Sequence, residues 1–368
     1  MRLELEWRLR LNMQPYNVEI FDRSFNLVQH YNIENTDYKF DYLSIQENVF
    51  LVPFNELVQK GYYVRLKNDV HEFVGYISSL SVDESVEGYT NIGFRPLMGL
   101  FDTDIMVTVA SQGVGDLETF IENRIKDYFI NNADSSQNIY GLAVESISST
   151  SGWNFYITEE TEGTGKAIVS FMSIIQAALT KYSVVLFIDV DFQNKQIKCK
   201  IGNKNIASFT IEADLPSVIS RSVIVNENKS DVNKLIIYDK SNLSSVITYY
   251  LHSDGTYDTT NTDRVTPVIY DMISVSVSTG QTFAQAAAEA ANKQFGNNKK
   301  SNLIEITILN DDNLANPKSL EIGQLVTVIT NGASYGSVLT GYEISDVTKL
   351  TFGTIRLDLT KILKEAMK

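Results

Sequence analysis

The feature that most constrains the fold is a pattern that occurs early in the chain and again near its end. Residues 61–66 read Gly-Tyr-Tyr-Val-Arg-Leu and are followed, after a turn, by Phe-Val-Gly-Tyr-Ile at 73–77. Residues 323–328 read Gly-Gln-Leu-Val-Thr-Val and are followed, after an Asn-Gly turn at 331–332, by Val-Leu-Thr-Gly-Tyr-Glu-Ile at 338–344. A leading glycine, two alternating strands and a Gly-Tyr step recur in the same order, which indicates two similar β units in one chain.

The surroundings of the two blocks also match. Each block has a strand-like segment upstream, near Leu43 and Leu303, and an alternating strand downstream, at 90–97 and 354–359. Small β barrels can share such patterns by chance, so duplication and coincidence are both open at this point. If the units are duplicated, three chains in a symmetric ring would present six similar units around one axis.

The remaining patterns divide the chain into four predicted units. Perfect alternation of apolar and charged residues over 2–11 predicts a strand with one buried face, and further short strands follow it. Asp116 is a suitable N-cap for a first helix, and Asn194-Lys195 is typical of a hairpin turn. Helices are predicted at 117–130, 170–181, 281–295 and 361–367.

We therefore predict a mainly β fold with α+β inserts, built from two similar small β-barrels and two inserted domains. The boundaries are 1–105 for the first β-barrel, 106–214 for an α+β insert, 215–250 and 301–368 for the discontinuous second β-barrel, and 251–300 for a loop-and-helix insert.

Charge and cysteine content argue against several classes of protein. The chain has 368 residues, a formal net charge of −14 and a single cysteine, Cys199. Such an acidic chain repels a phosphate backbone, which disfavours specific DNA or RNA binding, and one cysteine cannot form an intrachain disulfide. Charged residues in the first ten positions leave no room for a signal-peptide core, and the densest apolar run, 184–188, is too short to span a membrane. The sequence predicts a soluble protein made in a cytoplasm.

No constellation typical of an active site is present in the sequence. The three histidines, His30, His71 and His252, lie far apart, and there is no HExxH pair, cysteine cluster or Gly-x-Ser-x-Gly elbow. The glycine-rich stretches 113–115 and 163–166 lack phosphate-loop spacing and are interpreted as turns. We assign no catalytic, cofactor-binding or metal-ligating residue.

Two acidic groups and one helix leave alternatives open. Asp189 and Asp191 share one face of a predicted strand and could serve acid–base chemistry, or they could be a solvated edge that discourages strand pairing. Asp254, Asp258 and Asp263 lie in a polar loop and could ligate calcium, although they lack EF-hand spacing and a mobile acidic loop is the simpler interpretation. The Ala-rich helix, 284–291, could let subunits approach closely or could pack on its own domain.

Two stretches, together with the order of the units, carry a resemblance to a known family. The first is the strand entry Leu-Glu-Ile-Gly-Gln-Leu-Val-Thr-Val at 320–328. The second is 239–267, which contains Tyr250, Asp254-Gly255, Arg264 and Pro267. In these features the chain resembles the baseplate hub and tail-associated proteins of tailed bacteriophages, and it is most similar to the hub of lactococcal siphophage baseplates. The resemblance covers nearly the whole chain.

The resemblance implies a structural protein of the virion, assembled in the host bacterial cytoplasm and located at the phage tail tip. Such hubs are homotrimers below the tail tube, dock onto a hexameric distal tail protein and close the tail channel until DNA ejection during host infection. Receptor-binding proteins hang from the same baseplate. The trimeric ring would adapt a sixfold tube to a threefold tip, and DNA would pass through it without specific binding.

Two other functions remain as alternatives. Many relatives carry a C-terminal peptidoglycan hydrolase extension, and this chain stops at Lys368, so that activity is not implied, but a tail-associated cell-wall hydrolase is the first alternative. The second is a carbohydrate-binding adhesin that uses the aromatic faces of Trp7 or Trp153. Because Trp7 lies on the apolar face of a predicted strand, core packing is its simpler role.

Overall fold

A computed structural model describes 15–33, 38–68, 72–82, 87–111, 113–153, 155, 164–204, 208–214, 216, 218–225, 232–252, 256–262, 268–277, 282–295, 302–309, 321–345 and 347–354. Strands dominate these ranges, so the mainly β fold class predicted from the sequence is confirmed. The predicted strand 2–11, nearly all of 354–359 and the predicted terminal helix 361–367 lie outside the described residues. Within the described ranges, no helix has the length and apolar character needed to cross a membrane.

The strands are β1 Tyr16–Phe21, β2 Leu27–Ile33, β3 Tyr38–Asp41, β4 Asn48–Pro53, β5 Tyr63–Lys67, β6 Glu72–Val82, β7 Tyr89–Pro96, β8 Asp104–Thr108, β9 Leu142–Ser146, β10 Lys166–Ser170, β11 Val185–Asp191, β12 Gln196–Gly202, β13 Phe209–Glu212, β14 Val218–Val225, β15 Lys234–Asp239, β16 Asn242–Leu251, β17 Tyr257–Asp258, β18 Tyr270–Val275, β19 Asn302–Leu309, β20 Leu325–Thr330, β21 Ala333–Ile344 and β22 Val347–Phe352. The α-helices are α1 Leu117–Ile125, α2 Phe171–Tyr182 and α3 Phe283–Phe295.

The first barrel is a curled sheet of six strands in the order β2-β1-β5-β6-β7-β4. Alternation decides which side chains face its core, because successive residues of a strand point to opposite sides. In β4, for example, Phe50 and Val52 are buried, whereas Val49 and Leu51 face outward. The sheet curls until its two edge strands approach each other, where the hydroxyl of Tyr31 donates to the carbonyl of Pro53 at 3.3 Å.

The second barrel has the strand order β13-β20-β21-β22-β19-β14, and β3 from the first part of the chain also pairs with β21. Its core is mostly aliphatic, with Ile304, Ile306, Val328 and Leu350 around the buried ring of Phe352. The edges of this sheet also approach each other, since the guanidinium of Arg221 in β14 donates to the Ala213 carbonyl, directly after β13, at 3.0 Å.

The two barrels repeat the same arrangement around the duplicated sequence blocks. The order β5-β6-β7-β4 in the first barrel corresponds to β20-β21-β22-β19 in the second. Matching backbone hydrogen bonds run from Gly61 N to the carbonyl of Ile77 and from Gly323 N to the carbonyl of Leu339, both at 2.8 Å. The predicted similarity of the two units is therefore confirmed, but three of the matched segments are not equivalent. Leu43 lies in a turn and β4 is the strand equivalent to β19, while β22 and not 354–359 is equivalent to β7. The Gly-Tyr steps also differ in position, because Tyr76 is equivalent to Val338 and not to Tyr342.

A β-bulge follows at the same point of each barrel. The register of β6 with β7 shifts at Ser78, and the register of β21 with β22 shifts at Thr340. Bulges are specific features that recur between related sheets, so their shared position supports duplication over coincidence. One pairing differs, because β1 is antiparallel to β5 whereas β13 is parallel to β20.

The α+β region between the barrels contains the pair β8 and β10, a second small sheet in the order β11-β12-β9, and helices α1 and α2. The helix predicted at 170–181 is present as α2, and the hydroxyl of Ser170 caps it by accepting from Ser173 N at 3.2 Å. The helix predicted at 117–130 is α-helical only to Ile125 and ends in a π turn. The hairpin predicted at Asn194-Lys195 joins β11 to β12.

The structure of the second insert shows that two of the predicted domain boundaries are wrong. The pattern assigns 215–250 to the second barrel, but β15 and β16 pair with β17 and β18 in a separate four-stranded sheet, against which α3 packs. Conversely, β13 falls within the predicted α+β insert but pairs with β20 of the second barrel. Alternation shows that a segment is a strand, yet it does not show which sheet the strand joins.

We expect Gly323→Ala to destabilise the protein more than Gly332→Ala. Both glycines have a positive φ, 87° and 76°, so either alanine enters a left-handed conformation, at a cost of about 1 kcal/mol. At Gly332 the added methyl meets open space, whereas at Gly323 it would lie 2.4 Å from Val185 Cγ2. That overlap adds about 1–3 kcal/mol to the loss of unfolding free energy. Denaturant unfolding followed by circular dichroism measures both variants, and equal losses would contradict the close approach.

Candidate functional site: the junction between the two barrels

The candidate functional site is the place where β3 joins the sheet of the second barrel; it comprises β3, residues 341–344 of β21 and Tyr42, and is called the junction below. The two strands are antiparallel, with Phe40 opposite Tyr342 and Tyr38 opposite Ile344. The pairing continues one step further, because Tyr42 N donates to the carbonyl of Thr340 at 2.9 Å. Strand addition of this kind joins two units through main-chain hydrogen bonds.

On the edge of β3 opposite β21, the buried side chain of Asn48 attaches the strand to the first barrel. Asn48, at the start of β4, accepts a hydrogen bond from Lys39 N at 2.6 Å and donates one to the Lys39 carbonyl at 3.1 Å. The Asn48 amide thereby replaces the backbone partner that a neighbouring strand would supply. β3 is consequently held between the two barrels, by a side chain on one edge and by a strand on the other.

Aromatic and aliphatic side chains fill the space between the barrels. The ring of Phe40 stacks on that of Tyr342 at 5.5 Å, and the ring of Tyr38 lies 4.9 Å from that of Phe73. Ile344 comes from the second barrel but belongs to the buried core of the first. Burial raises the pKa of Tyr342 to about 12, so its hydroxyl stays protonated at neutral pH. The junction is thus an apolar contact as well as a strand pair.

Tyr42 links three parts of the molecule at once. Its backbone N–H bonds to the second barrel, its carbonyl accepts from Gln176 of α2 at 3.3 Å, and its hydroxyl accepts from the backbone N of Leu186 at 2.9 Å. The side chain is fully buried, which raises the pKa of Tyr42 above its ordinary value. The hydroxyl therefore acts as a neutral hydrogen-bonding group that positions the α+β region.

A cleft of about 510 Å³ lies beside the junction, between both barrels and the α+β region. Its wall includes the ion pair of Lys204 and Glu321 at 2.7 Å, and the Lys204 ammonium lies 4.0 Å from the centre of the Phe187 ring. Among the described residues that line the cleft, none is a histidine, a cysteine or a serine. Its carboxylates include Asp189, one of the acidic residues considered in the sequence, together with Glu72 and Glu321.

One buried carboxylate was not singled out by the sequence. Glu118 in α1 is fully buried and accepts from Ser148 Oγ at 2.6 Å, from Thr150 N at 2.7 Å and from Thr150 Oγ1 at 2.8 Å. All of these partners donate, which suits an acceptor that fixes the segment after β9 to α1. No local sequence pattern could indicate this contact, because α1 and the segment after β9 are distant in the chain.

The two histidines that the structure describes, His30 and His252, lie in different sheets. His30 is exposed on β2, and His71 lies outside the described residues. His252 is buried beside Asp258, with 3.1 Å between Nε2 and Oδ1. Hydrogen bonds from Thr260 and His252 hold the pKa of Asp258 below its usual range.

Of the two acidic residues on β11, Asp191 has structural partners. Asp191 accepts from the side chain and backbone of Asn194 in the hairpin turn and from Lys198 at 3.0 Å, and these bonds lower its pKa. Asp189 is exposed two residues before it. Asp254 and Asp263 lie outside the described part of the chain, and no group of three possible metal ligands occurs within that part. Calcium binding by the polar loop that contains Asp254 and Asp263 stays a hypothesis.

The aromatic and alanine candidates are mostly buried. The Trp153 side chain is in the core and donates through Nε1 to the Gly115 carbonyl at 3.1 Å, so its face is not available to a sugar. Trp7 lies outside the described residues. In α3, Ala287 and Ala291 pack against Leu235 and Ile237 of their own sheet, which is the second of the two roles that the sequence left open.

The sequence did not reveal the junction. The alternation around Tyr38 and Phe40 indicates a strand, but that pattern is the same whether the strand joins its own barrel or another. The only signal available was the Gly-Tyr step at Gly341 and Tyr342, which marks the partner strand without identifying β3 as its neighbour. Gly341 is required there, because an added methyl would lie 2.8 Å from the Phe40 carbonyl oxygen.

The fold is that of bacteriophage tail proteins. The chain is similar to the tail protein from Neisseria meningitidis, with a TM-score of 0.55 and 11% identity over 93% of this chain and 97% of that one. It is similar to the 43 kDa tail protein of prophage MuSo2 from Shewanella oneidensis, with a TM-score of 0.55 and 12% identity over 92% and 98%. The prophage tail protein gp18 from Listeria monocytogenes gives a TM-score of 0.50 and 13% identity over 95% and 98%. No family model and no curated protein matches the sequence.

We expect Tyr42→Phe to lower the unfolding free energy by about 1–3 kcal/mol, because the Leu186 N–H stays buried and loses its acceptor. The matched control is Tyr38→Phe in the same junction, since Tyr38 contacts its neighbours through its ring. That control should change stability by less than about 0.5 kcal/mol. Denaturant unfolding compares the two, and a larger loss in the control would contradict the role given to the Tyr42 hydroxyl.

We expect Glu118→Gln to cost about 1–3 kcal/mol of unfolding free energy, because the amide nitrogen cannot accept from Ser148 or Thr150. Glu145→Gln serves as the control, because Glu145 is exposed and pairs with Lys200 at 3.4 Å. Loss of that surface pair should change stability by at most about 1 kcal/mol. Thermal unfolding at pH 7 tests both, and an unaffected Glu118→Gln protein would exclude the proposed acceptor network.

Proposed function

We propose that the chain is a structural hub of a bacteriophage tail tip, in which three copies form a ring of six barrels. The observation that carries the proposal is the duplicated barrel, in which four strands have the same order, with a matching hydrogen bond and a bulge at the same point. Two similar units per chain allow a threefold assembly to meet a sixfold one, because closed symmetry then places six similar surfaces around the axis. The shared fold with tail proteins from three bacterial genomes supports a place in the virion tail.

In this role the ring sits below the tail tube. Its partners are a hexameric distal tail protein above it and the receptor-binding proteins of the same baseplate, and it closes the tail channel until DNA ejection. The net charge of −14 is compatible with a wall past which DNA slides without binding. The chemistry of the hub is burial of interfaces, which agrees with the structural roles of Tyr42, Glu118 and Asp191.

Light scattering on the full chain, alone and with its distal tail partner, tests the proposal. The expected mass is that of three chains in at least one of the two settings, and end-on negative-stain images of that species should show six lobes. A stable monomer in both settings would overturn the hub.

Zymography on host cell walls and glycan binding separate the hub from the other two functions. The hub should give neither clearing nor glycan binding. Clearing that one carboxylate substitution abolishes would point to a cell-wall hydrolase, and saturable glycan binding would point to an adhesin.

A further inference from the structure

The cleft beside the junction is bordered by the edge of a strand. A run of six successive residues of β11, 185–190, lines it. Successive side chains of a strand point to opposite faces, so a cavity that contacts a whole run of residues meets the edge of the strand and not one of its faces. β11 is the outer strand of its sheet, and no strand of the described ranges pairs with its other side. We call residues 186–190 the β11 edge.

Hydrogen bonds show which backbone groups of the β11 edge face the cleft. The N–H of Leu186 donates to the Tyr42 hydroxyl at 2.9 Å and not to β12. The carbonyl of Ile201, which lies opposite Leu186, is bonded on the far side of β12, to the segment after β9. Alternate residues of an antiparallel strand turn their N–H and C=O groups to the same side. Ile188 and Val190 therefore direct both groups away from β12, towards the cleft.

A second strand edge borders the cleft on the side of the first barrel. Glu72, Phe73 and Val74 of β6 line it in succession. All three pair with β5, whereas the pairing of β6 with β7 begins at Gly75, opposite Pro96. The cleft therefore lies between two strand edges that belong to different units. Its volume of about 510 Å³ falls within the range of roughly 300–1,000 Å³ that is typical of ligand pockets.

The charged side chains of the cleft leave one carboxylate without an opposite charge. Three carboxylates and one ammonium group line the cleft, those of Glu72, Asp189, Glu321 and Lys204. Glu72 pairs with Arg65 at 2.8 Å, and Glu321 pairs with Lys204 at 2.7 Å. Asp189 is exposed and forms no ion pair within the described ranges, because Lys198 opposite it pairs with the other aspartate of β11.

We propose that the cleft binds an extended peptide segment of a partner protein, which adds to the β11 edge as a further strand. The N–H and C=O groups of Ile188 and Val190 give this segment its main-chain hydrogen bonds. Opposite charges that face each other on neighbouring strands stabilise the pair, so the residue opposite Asp189 is basic. Its two neighbours are apolar, because they lie opposite Ile188 and Val190. A segment of about five residues spans the edge.

Tyr42 defines one end of the docking site. Its hydroxyl accepts from the Leu186 N–H, at the position where the carbonyl of an added strand would otherwise bind. The added strand therefore forms its hydrogen bonds beyond this point, at Ile188 and Val190. The site lies within one chain, so its occupancy does not require that three copies form the hub.

Binding of synthetic peptides to the full chain tests the docking site. The probe is the fluorescent peptide Thr-Val-Arg-Val-Thr with blocked termini, and one matched peptide carries glutamate in place of arginine. Fluorescence anisotropy should show saturable binding of the arginine peptide with a dissociation constant below about 1 mM. The glutamate peptide should bind about fivefold more weakly, because its charge repels Asp189. A third peptide, N-methylated at its three central amides, should not bind, because it cannot donate to β11. Absence of saturable binding, or equal binding of the three peptides, would overturn the docking site.

A substitution at Asp189 gives an independent measure. Asp189→Asn removes the charge and keeps the size of the side chain, so it should weaken binding of the arginine peptide about two- to fivefold. The control is Glu145→Gln, which removes an exposed charge from the opposite edge strand of the same sheet, β9, and should leave the affinity unchanged. Equal effects of the two substitutions would contradict the position given to the basic residue and overturn the proposal.

Hydrogen exchange followed by mass spectrometry locates the bound peptide. The arginine peptide should slow exchange in residues 185–191 and leave exchange in residues 142–146 of β9 unchanged. Slower exchange only outside 185–191 would overturn the docking site. In the protein without peptide, exchange of 185–191 should be independent of protein concentration. Protection that grows with concentration would identify a second copy of the chain as the occupant and would overturn the partner segment.

Discussion

The pairing of β3 with β21 is the interaction on which the arrangement of the whole chain depends. It satisfies backbone groups that a lone strand would leave exposed, and it does so across two barrels instead of within one. Tyr42 extends the effect to the α+β region by bonding to α2 and to Leu186. The two barrels and the α+β region are therefore held together by contacts of β3 and Tyr42.

Duplication gives the molecule two copies of one sheet, but their neighbours make them different. Gly61 and Gly323 occupy equivalent turns with φ of 80° and 87°. A methyl added at Gly61 would meet the flexible Arg23 side chain, whereas one at Gly323 would meet Val185 of the α+β region. The conserved feature is the backbone path of the sheet, and the divergent feature is what covers it. Ile344 and Val82 occupy equivalent positions in the two sheets, yet Ile344 is 2% exposed and Val82 is 71% exposed.

The parts of the fold that could be predicted from the sequence are those decided by local physics. The repeated glycine blocks, helix α2 and the hairpin at Asn194-Lys195 all follow from periodicity and turn chemistry within a few residues. The boundaries failed where long-range pairing decides the outcome: β13 joins β20, and β15 joins β18. The π turn after Ile125 was also missed, because the spacing of its apolar residues is that of an ordinary helix.

The candidate site shows the same division. The sequence argument against a catalytic set rests on the three histidines and the one cysteine and stays a prediction. The junction could not be found from such residues. Its residues, Tyr38 and Phe40 on one side and Tyr342 on the other, look like ordinary strand residues until the two segments meet. Glu118 is similar, since its partners Ser148 and Thr150 approach it only in the folded chain.

The junction also fixes the order in which the fold can be completed. On the ribosome, β3 emerges before both inserts, and its partner residues 341–344 emerge after them. Domains form as units from the N-terminus during synthesis, and contacts between distant segments close slowly. The nascent chain therefore exposes one edge of β3 until both inserts have been made, and the arrival of β21 removes that edge from competition with other chains.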